Sequence, residues 1–266
     1  PHRLHLAAMN NVWALANVVV LEMVRRKDFY VLFILTVLLT GTAGSVNLFN
    51  DRSIVRYLKE ICLLLIWLSG LVIAITCTAR QIPAEREHRT IFPLLAKPVT
   101  RGQFLLGKFL GCWVATGMAL ILFYLLFGLV SGSRDHQWPV LNYLQAAWLH
   151  WMMLGIVIAF TLLGSIVFAA PSSNGTISFA CAAGMLLLGR HLNKVALSVA
   201  EPLQSLLYTA YFILPHLELF DVRELIIHDA GLIRWDMVAL ATLYAAAYGA
   251  FFLFGAWLAF RRRPLN

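Results

Sequence analysis

The sequence predicts an all-α, polytopic membrane protein with six transmembrane helices, and three observations carry that expectation. Of its 266 residues, 61% are hydrophobic and only 13% charged, whereas soluble domains average about 45–50% apolar and about 25% charged. Six apolar runs reach or approach the roughly 20 residues that a membrane-crossing helix needs. The 21 lysines and arginines give a net charge of +8, but they sit in short clusters beside the apolar runs. That distribution suits helix ends on one side of a bilayer rather than a nucleic-acid surface.

In chain order, residues 1–28 come first. Val12, Ala16, Val19, Val20, Met23 and Val24 recur at helical spacing, with Asn10, Asn17, Glu22 and Arg25 at other positions. The pattern suits a helix lying in the membrane interface; the alternative is an N-terminal extension of the first span. The spans then run from about Phe29 to Phe49, Ile61 to Ala79, Phe104 to Val130, Tyr143 to Ala170, Thr176 to Leu192 and Met237 to Phe260. Residues 191–236 form a long connection. Within it, Leu203 to Leu214 is apolar but too short to span, and it is bounded by Glu201-Pro202 and Pro215-His216. It is read as re-entrant or interfacial, part of a lid on the outer face. The whole of 1–266 is read as one transmembrane domain.

Six spans put both termini on one side. With the N-terminus inside, thirteen of the 21 basic residues fall inside and eight outside, so both termini and residues 80–103 are expected to be cytoplasmic. The expected location is a cell membrane, most simply a bacterial inner membrane.

Several chemistries find no support. Ion-driven carriers and proton pumps need ionisable groups at membrane depth, and the centres of these spans carry none. Lys108 stands near the start of span three, and His150, near the outer end of span four, is read as interfacial. No GxSxG or HExxH motif occurs. His216, Glu218 and Asp221 are read as turn and surface residues. Cys62, Cys77, Cys112 and Cys181 all fall in apolar runs without CxxC spacing, as small buried residues do. Gly102 to Lys108 matches GxxxxGK, but Phe109 stands where a phosphate loop needs Ser or Thr for magnesium, and no strand pattern precedes it. The start of a span accounts for it better. Gly107 and Gly111, four apart, permit close helix contact, although such pairs are common in membrane helices.

The stretch Glu85-Arg86-Glu87-His88-Arg89-Thr90-Ile91-Phe92-Pro93-Leu94-Leu95-Ala96-Lys97-Pro98-Val99-Thr100-Arg101 resembles the cytoplasmic signature of ABC-2 type permeases, E-R-E-x-G-T-x-x-x-L-L-x-x-P-x-x-R, after which a Gly-Lys pair opens the third span. Glu85, Arg86, Glu87, Thr90, Leu94, Leu95, Pro98, Arg101, Gly107 and Lys108 match in register; Arg89 replaces the family's usual glycine. The resemblance implies a non-catalytic permease subunit of an ATP-driven transporter working in the direction of export. It implies a cytoplasmic coupling helix in 80–103 that seats in a separate ABC ATP-binding subunit. ATP and magnesium would be bound by that partner, with no cofactor, metal or catalytic residue in this chain. Glu85, Arg86, Glu87, Arg89, Thr90, Ile91, Leu94, Leu95, Pro98 and Arg101 would form the ATPase interface, with Ser172, Ser173 and Asn174 a second cytoplasmic contact. A second permease subunit, identical or related, membrane lipid and an outer-face partner complete the implied partners, without nucleic acid. The alternative is a mechanotransmission subunit that drives an outer-face partner without moving cargo.

The residues agree with that role. Thr90 suits a helix cap, with Ile91, Leu94 and Leu95 as an apolar ridge, Pro93 in the first turn and Pro98 at the end. A solvated loop would explain the arginines, but not three apolar residues exposed between charges.

Overall fold

The computed structural model describes residues 2–25, 30, 34, 37, 38, 41, 52–87, 100–135 and 138–262. Among the described residues there are helices and turns and no strand. In chain order they are α1 (His2–Arg25), α2 (Arg52–Ala79), α3 (Gln81–Glu87), α4 (Arg101–Asp135), α5 (Val140–Val167), α6 (Pro171–Ser198) and α7 (Leu203–Ile213). A 3-10 turn (Leu217–Phe220), α8 (Arg223–Ile227) and α9 (Trp235–Arg262) follow.

Four helical stretches are long and apolar enough to cross a membrane: Arg56–Glu85, Arg101–Ser133, Val140–Val167 and Trp235–Arg262. They contain the expected second, third and sixth spans and most of the fourth. The expected first span falls outside the described residues except at Tyr30, Ile34, Val37, Leu38 and Gly41, all helical. The expected fifth span lies inside α6, which matches α5 in length at 28 residues. Arg190, His191, Asn193 and Lys194 lower the hydropathy of its C-terminal third.

The fourth span ends earlier than expected. Phe168–Ala170 is a turn, because Pro171 forces the residue before it out of the helical region; Ala170 is extended, with φ −91° and ψ 129°. Pro171 is then the first residue of α6, a position that needs no backbone N–H. Ser172, Ser173 and Asn174, expected as a second cytoplasmic contact, therefore lie in the first turn of a helix.

α5 is the central helix, buried along most of its length and packed on α2, α4, α6 and α9. α9 lies outermost. Its buried residues Val238, Ala245, Gly249, Ala256 and Phe260 form one stripe, while Leu240, Leu243, Phe251 and Phe254 face outward. A helix that is apolar all round yet buries one stripe requires apolar surroundings on its other faces.

α1 lies along α4. Leu15, Ala16, Val19 and Met23 are buried, and Trp13, Val18 and Leu21 face away. The approach is close at Gly107 and Gly111: a β-carbon at 107 would stand 2.6 Å from Leu15 Cβ, and one at 111 would stand 2.6 Å from Val19 Cβ. α4 and α5 meet at paired tryptophans, Trp113 and Trp151, with ring centroids 4.4 Å apart.

At one end, residues 214–233 fold back over the bundle and bury Leu217, Phe220, Ile226 and Ile227. Polar bonds tie this cap to three helices. Gln145 of α5 exchanges two bonds with the Ile233 backbone, at 2.9 and 3.0 Å. The His216 amide donates to Tyr244 of α9 at 2.9 Å. Lys59 of α2, 1% exposed, pairs with Asp229 at 3.0 Å. Arg223 makes a two-pronged pair with Asp221 at 2.8 and 2.9 Å, which raises its already high pKa, and it lies over Trp67 at 5.0 Å. Trp67 stacks on His150 at 5.5 Å. His150 is 1% exposed and so belongs to the core, not to an interface; neither ring nitrogen has a hydrogen-bond partner. Gly70 makes room for it, since a β-carbon there would meet His150 Nε2 at 3.1 Å.

Candidate functional site

The candidate site is the opposite end of the bundle, where α3 ends at Glu87 and α4 starts at Arg101, with ends of α2, α6 and α9 beside them. α2 ends at Ala79, and after the single turn residue Arg80 the chain re-enters a helix as α3. Pro83 falls in its first turn, where a missing N–H costs no helical bond. α4 starts on a capping box: the Gln103 amide donates to Thr100 Oγ1 at 3.2 Å, and the Thr100 amide donates to Gln103 Oε1 at 2.9 Å. The spacing T-x-x-Q was in the sequence, overshadowed by the overlapping GxxxxGK. Residues 102–108 of that GxxxxGK are helical, so their amides are not arrayed as a phosphate-cradling loop.

Two polar clusters anchor this end. Lys108, only 3% exposed, forms an ion pair with Glu85 and donates to Gln81 Oε1 at 3.0 Å. The Gln81 amide also reaches back to the Cys77 carbonyl at 3.4 Å. Lys108 Nζ lies 5.8 Å from the centre of the Phe104 ring. In the second cluster Arg101 donates to the carbonyls of Phe260 and Arg261 at 2.8 and 3.0 Å. These are terminal carbonyls of α9, which lack helical partners and carry its negative dipole end. The Arg101 guanidinium also covers the Phe260 ring at 5.5 Å. Ile82, Phe104, Leu105, Leu162, Ile166 and Phe260 pack around both clusters in one apolar layer.

Each residue expected in the interface has its place. Glu85 faces Lys108 and Arg101 faces the end of α9, whereas Glu87 is exposed. Arg86 is helical in backbone. Arg89, Thr90, Ile91, Leu94, Leu95 and Pro98, with the rest of 88–99, lie outside the described residues. Ser172 and Ser173 are exposed in the first turn of α6. Asn174 is 0% exposed; its amide donates to the Thr161 carbonyl of α5 at 3.1 Å and accepts from Ser178 at 3.3 Å. Gly164 of α5 makes room for it, since a β-carbon there would overlap Asn174 Oδ1. Beside α3, a cleft of about 990 Å³ opens between α1, α2 and α6, with Glu22, Arg80, Glu87, Ser172 and Thr176 among its polar lining.

Sequence reasoning missed Gln81 as a partner of Lys108 and Asn174 as an internal link. Only the helical register of Gln81 with Glu85, four apart, hinted at the first. Asn174→Ala is expected to destabilise the chain by about 1–3 kcal/mol, because it takes one bond each from Thr161 and Ser178. Ser172→Ala and Ser173→Ala should stay within about 0.5 kcal/mol of the parent. Unfolding in detergent distinguishes the three; equal effects would place Asn174 outside the α5–α6 contact.

Among the described residues, no group of three or more His, Cys, Asp or Glu side chains is placed to hold a metal ion. What the site offers is a mechanical arrangement: the helices on either side of residues 88–99 are bonded to each other through Lys108 and to α9 through Arg101.

No characterised protein sequence matches the chain significantly. The family model described as ABC-2 family transporter protein matches residues 8–248, which takes in the charged loop, both of its anchors within α3 and α4, and the bundle as far as the middle of α9. This chain therefore belongs to the ABC-2 family of transporter proteins, as a multi-pass membrane permease.

Proposed function

We propose that this chain is the membrane-spanning permease subunit of an ATP-driven exporter and takes its energy from a separate ATP-binding subunit. The observation that carries the reading is the family match over residues 8–248, in a bundle whose charged loop is fixed at its base by Lys108 and Arg101. The first span and α6 complete six crossings. Both termini and residues 80–103 face the cytoplasm, and the cap over 214–233 faces outward. Residues 88–99 form the coupling helix. Ile91, Leu94 and Leu95 enter the ATPase cleft, and Arg86, Glu87 and Arg89 form a charged rim that sets orientation more than affinity. Ser172 and Ser173, exposed beside α3, suit the second contact; Asn174 serves the fold. ATP and magnesium bind in the partner, and this subunit is not itself an enzyme. Two permease subunits, identical or related, line the path, and closure of the ATPase pair rocks them between two states.

Leu94→Asp combined with Leu95→Asp is expected to abolish co-purification of the ATPase while leaving membrane insertion intact, because two carboxylates cannot enter an apolar cleft without a large desolvation cost. Undiminished co-purification would remove 88–99 from the interface.

One observation favours a second reading, mechanotransmission to an outer partner. The distal segment carries Leu203, Leu206, Phe212 and Ile213 exposed along α7, a ready apolar face above a firmly bonded cap. Reconstitution with the ATPase separates the two readings: ATP-dependent flux without an outer partner supports the exporter, and stimulated hydrolysis without flux supports transmission.

A further inference from the structure

We infer that the Glu85–Lys108 ion pair locks α3 to α4, so that displacement of residues 88–99 moves both helices as one, and that Glu85 is a positioning residue inside the permease and not a contact for the ATPase. The inference rests on the reading of 88–99 as the docking segment and assigns the means by which that segment is tied to the bundle.

Glu85 stands one turn before 88–99 begins, and Lys108 stands two turns into α4, just beyond its end. Their ion pair therefore closes the loop at its base. The pair is shielded: the Lys108 side chain is 4% exposed and that of Glu85 16%, under the apolar layer of Ile82, Phe104 and Leu105. A lysine in such a place is tolerated only when paired. If holding the helices together were the only requirement, a packed apolar pair would serve as well, because a buried ion pair is a poor source of net stability. What a charge pair adds is a fixed partner and register. Gln81, one turn before Glu85, bonds the same ammonium, so α3 grips Lys108 at two successive turns and cannot slide along α4.

α4 then carries the displacement. It is one uninterrupted helix of 35 residues, about 50 Å long, and it reaches the opposite end of the bundle, where Ser131 meets Tyr143 of α5 at 3.2 Å. A loop pinned to the start of such a helix moves the whole helix; a loop attached by flexible chain would absorb the same motion locally. Arg101 supplies a separate fixing of α4 to α9, so removing the ion pair alone leaves the C-terminal end of 88–99 joined to α4 through Thr100 but lets α3, at its N-terminal end, slip on α4.

The test uses the full chain in lipid nanodiscs, alone and with its ATPase. The variants are Lys108→Met, Glu85→Gln, and the exchange Glu85→Lys with Lys108→Glu. Glu85→Gln keeps the side-chain shape and leaves Lys108 its bond to Gln81, which guards against a folding failure in Lys108→Met. In the chain alone, amide hydrogen exchange over 81–87 should rise about tenfold in both single variants. With the ATPase, retention on an affinity resin should stay within about twofold of wild type, while the permease-dependent change in ATP hydrolysis falls about tenfold; the exchanged pair should recover both. Unchanged hydrogen exchange overturns the inference, as does an exchanged pair no better than the single variants. Parallel loss of retention and hydrolysis overturns it too, since Glu85 would then be a docking contact. Should the wild-type chain retain no ATPase, the docking reading falls, and hydrogen exchange in the chain alone decides whether the pair anchors the loop.

Discussion

Gly111→Val is expected to lower the stability of the folded chain by about 3 kcal/mol, at the upper end of what overpacking costs. A β-carbon at 111 would stand 2.6 Å from Val19 Cβ and 2.9 Å from the Ala16 carbonyl oxygen. The second obstacle is the backbone of α1, so no rotamer change relieves it. α1 cannot back away locally either, because one turn earlier Gly107 already brings α4 against Leu15 Cβ and the Val12 carbonyl, 2.6 and 3.2 Å from where a β-carbon would be. The whole helix must lift, and Ala16, Val19 and Met23, all buried on that face, lose contact together. Gly184→Ala in α6 is the control: nothing lies within 4 Å of a β-carbon there. Alanine should be neutral or stabilising by up to about 1 kcal/mol through helix propensity. Unfolding midpoints of both variants in one detergent make the comparison. If Gly111→Val unfolds with the parent, α1 does not ride on α4.

That crossing also illustrates what the sequence discloses. The Gly107–Gly111 pair was visible, and so was the apolar stripe of α1, but neither names the other as its partner. Helix pairing is a property of surfaces far apart in sequence, and a small-residue pair fits any smooth ridge. The long apolar runs were legible because the bilayer sets their length. The end of α5 was misplaced by three residues because Pro171, which stops it, also starts α6. Leu203–Leu214 was recognised as too short to span, and α7 occupies Leu203–Ile213.

Buried polar residues were the least legible. Lys59 lies in α2 and pairs with Asp229, 170 residues away, a partner that no local spacing names. His150 looked interfacial because nothing in its own segment reveals that Gly70 of α2 leaves space for its ring. At the candidate site, the motif that marks the loop was readable as a resemblance, but Glu85 and Arg101 were grouped with outward-facing rim residues. Spacing along one helix says which residues share a face. It does not say whether that face meets water or another helix, and in this chain Glu85 and Arg101 each meet a partner within the bundle.

Trp113→Ala and Trp151→Ala are each expected to cost about 3–5 kcal/mol, and the double variant should fall short of their sum by about 1 kcal/mol, the worth of the shared stack. The two rings stack with centroids 4.4 Å apart and planes 17° from parallel. Each indole N–H donates to the other residue's carbonyl, Trp113 to Trp151 at 3.1 Å and Trp151 to Trp113 at 2.9 Å. Removing either ring strips that ring's own bond and the shared stack, while the other indole keeps its bond to the remaining backbone carbonyl, so the stack is the one loss that the two single variants share. Gly117 and Gly155 show that the space is reserved: a β-carbon would stand 2.6 Å from Trp151 Nε1 in one case and 3.0 Å from Trp113 Nε1 in the other. Inside a membrane no water replaces a lost indole bond, so Trp151→Phe, which keeps a ring but no donor, should still cost about 1 kcal/mol. A strictly additive double variant would mean that the rings contribute to the bundle separately and do not clasp α4 to α5. The clasp bears on function through its position. It fixes the middle of α4 to the central helix, between the loop anchor at Lys108 and the bond of Ser131 to Tyr143. A helix held at two points along its length against α5, and at a third against α3, cannot tilt alone. Displacement entering at Lys108 must carry α5 with it, and through Gln145 and Ile233 the cap at the far end as well.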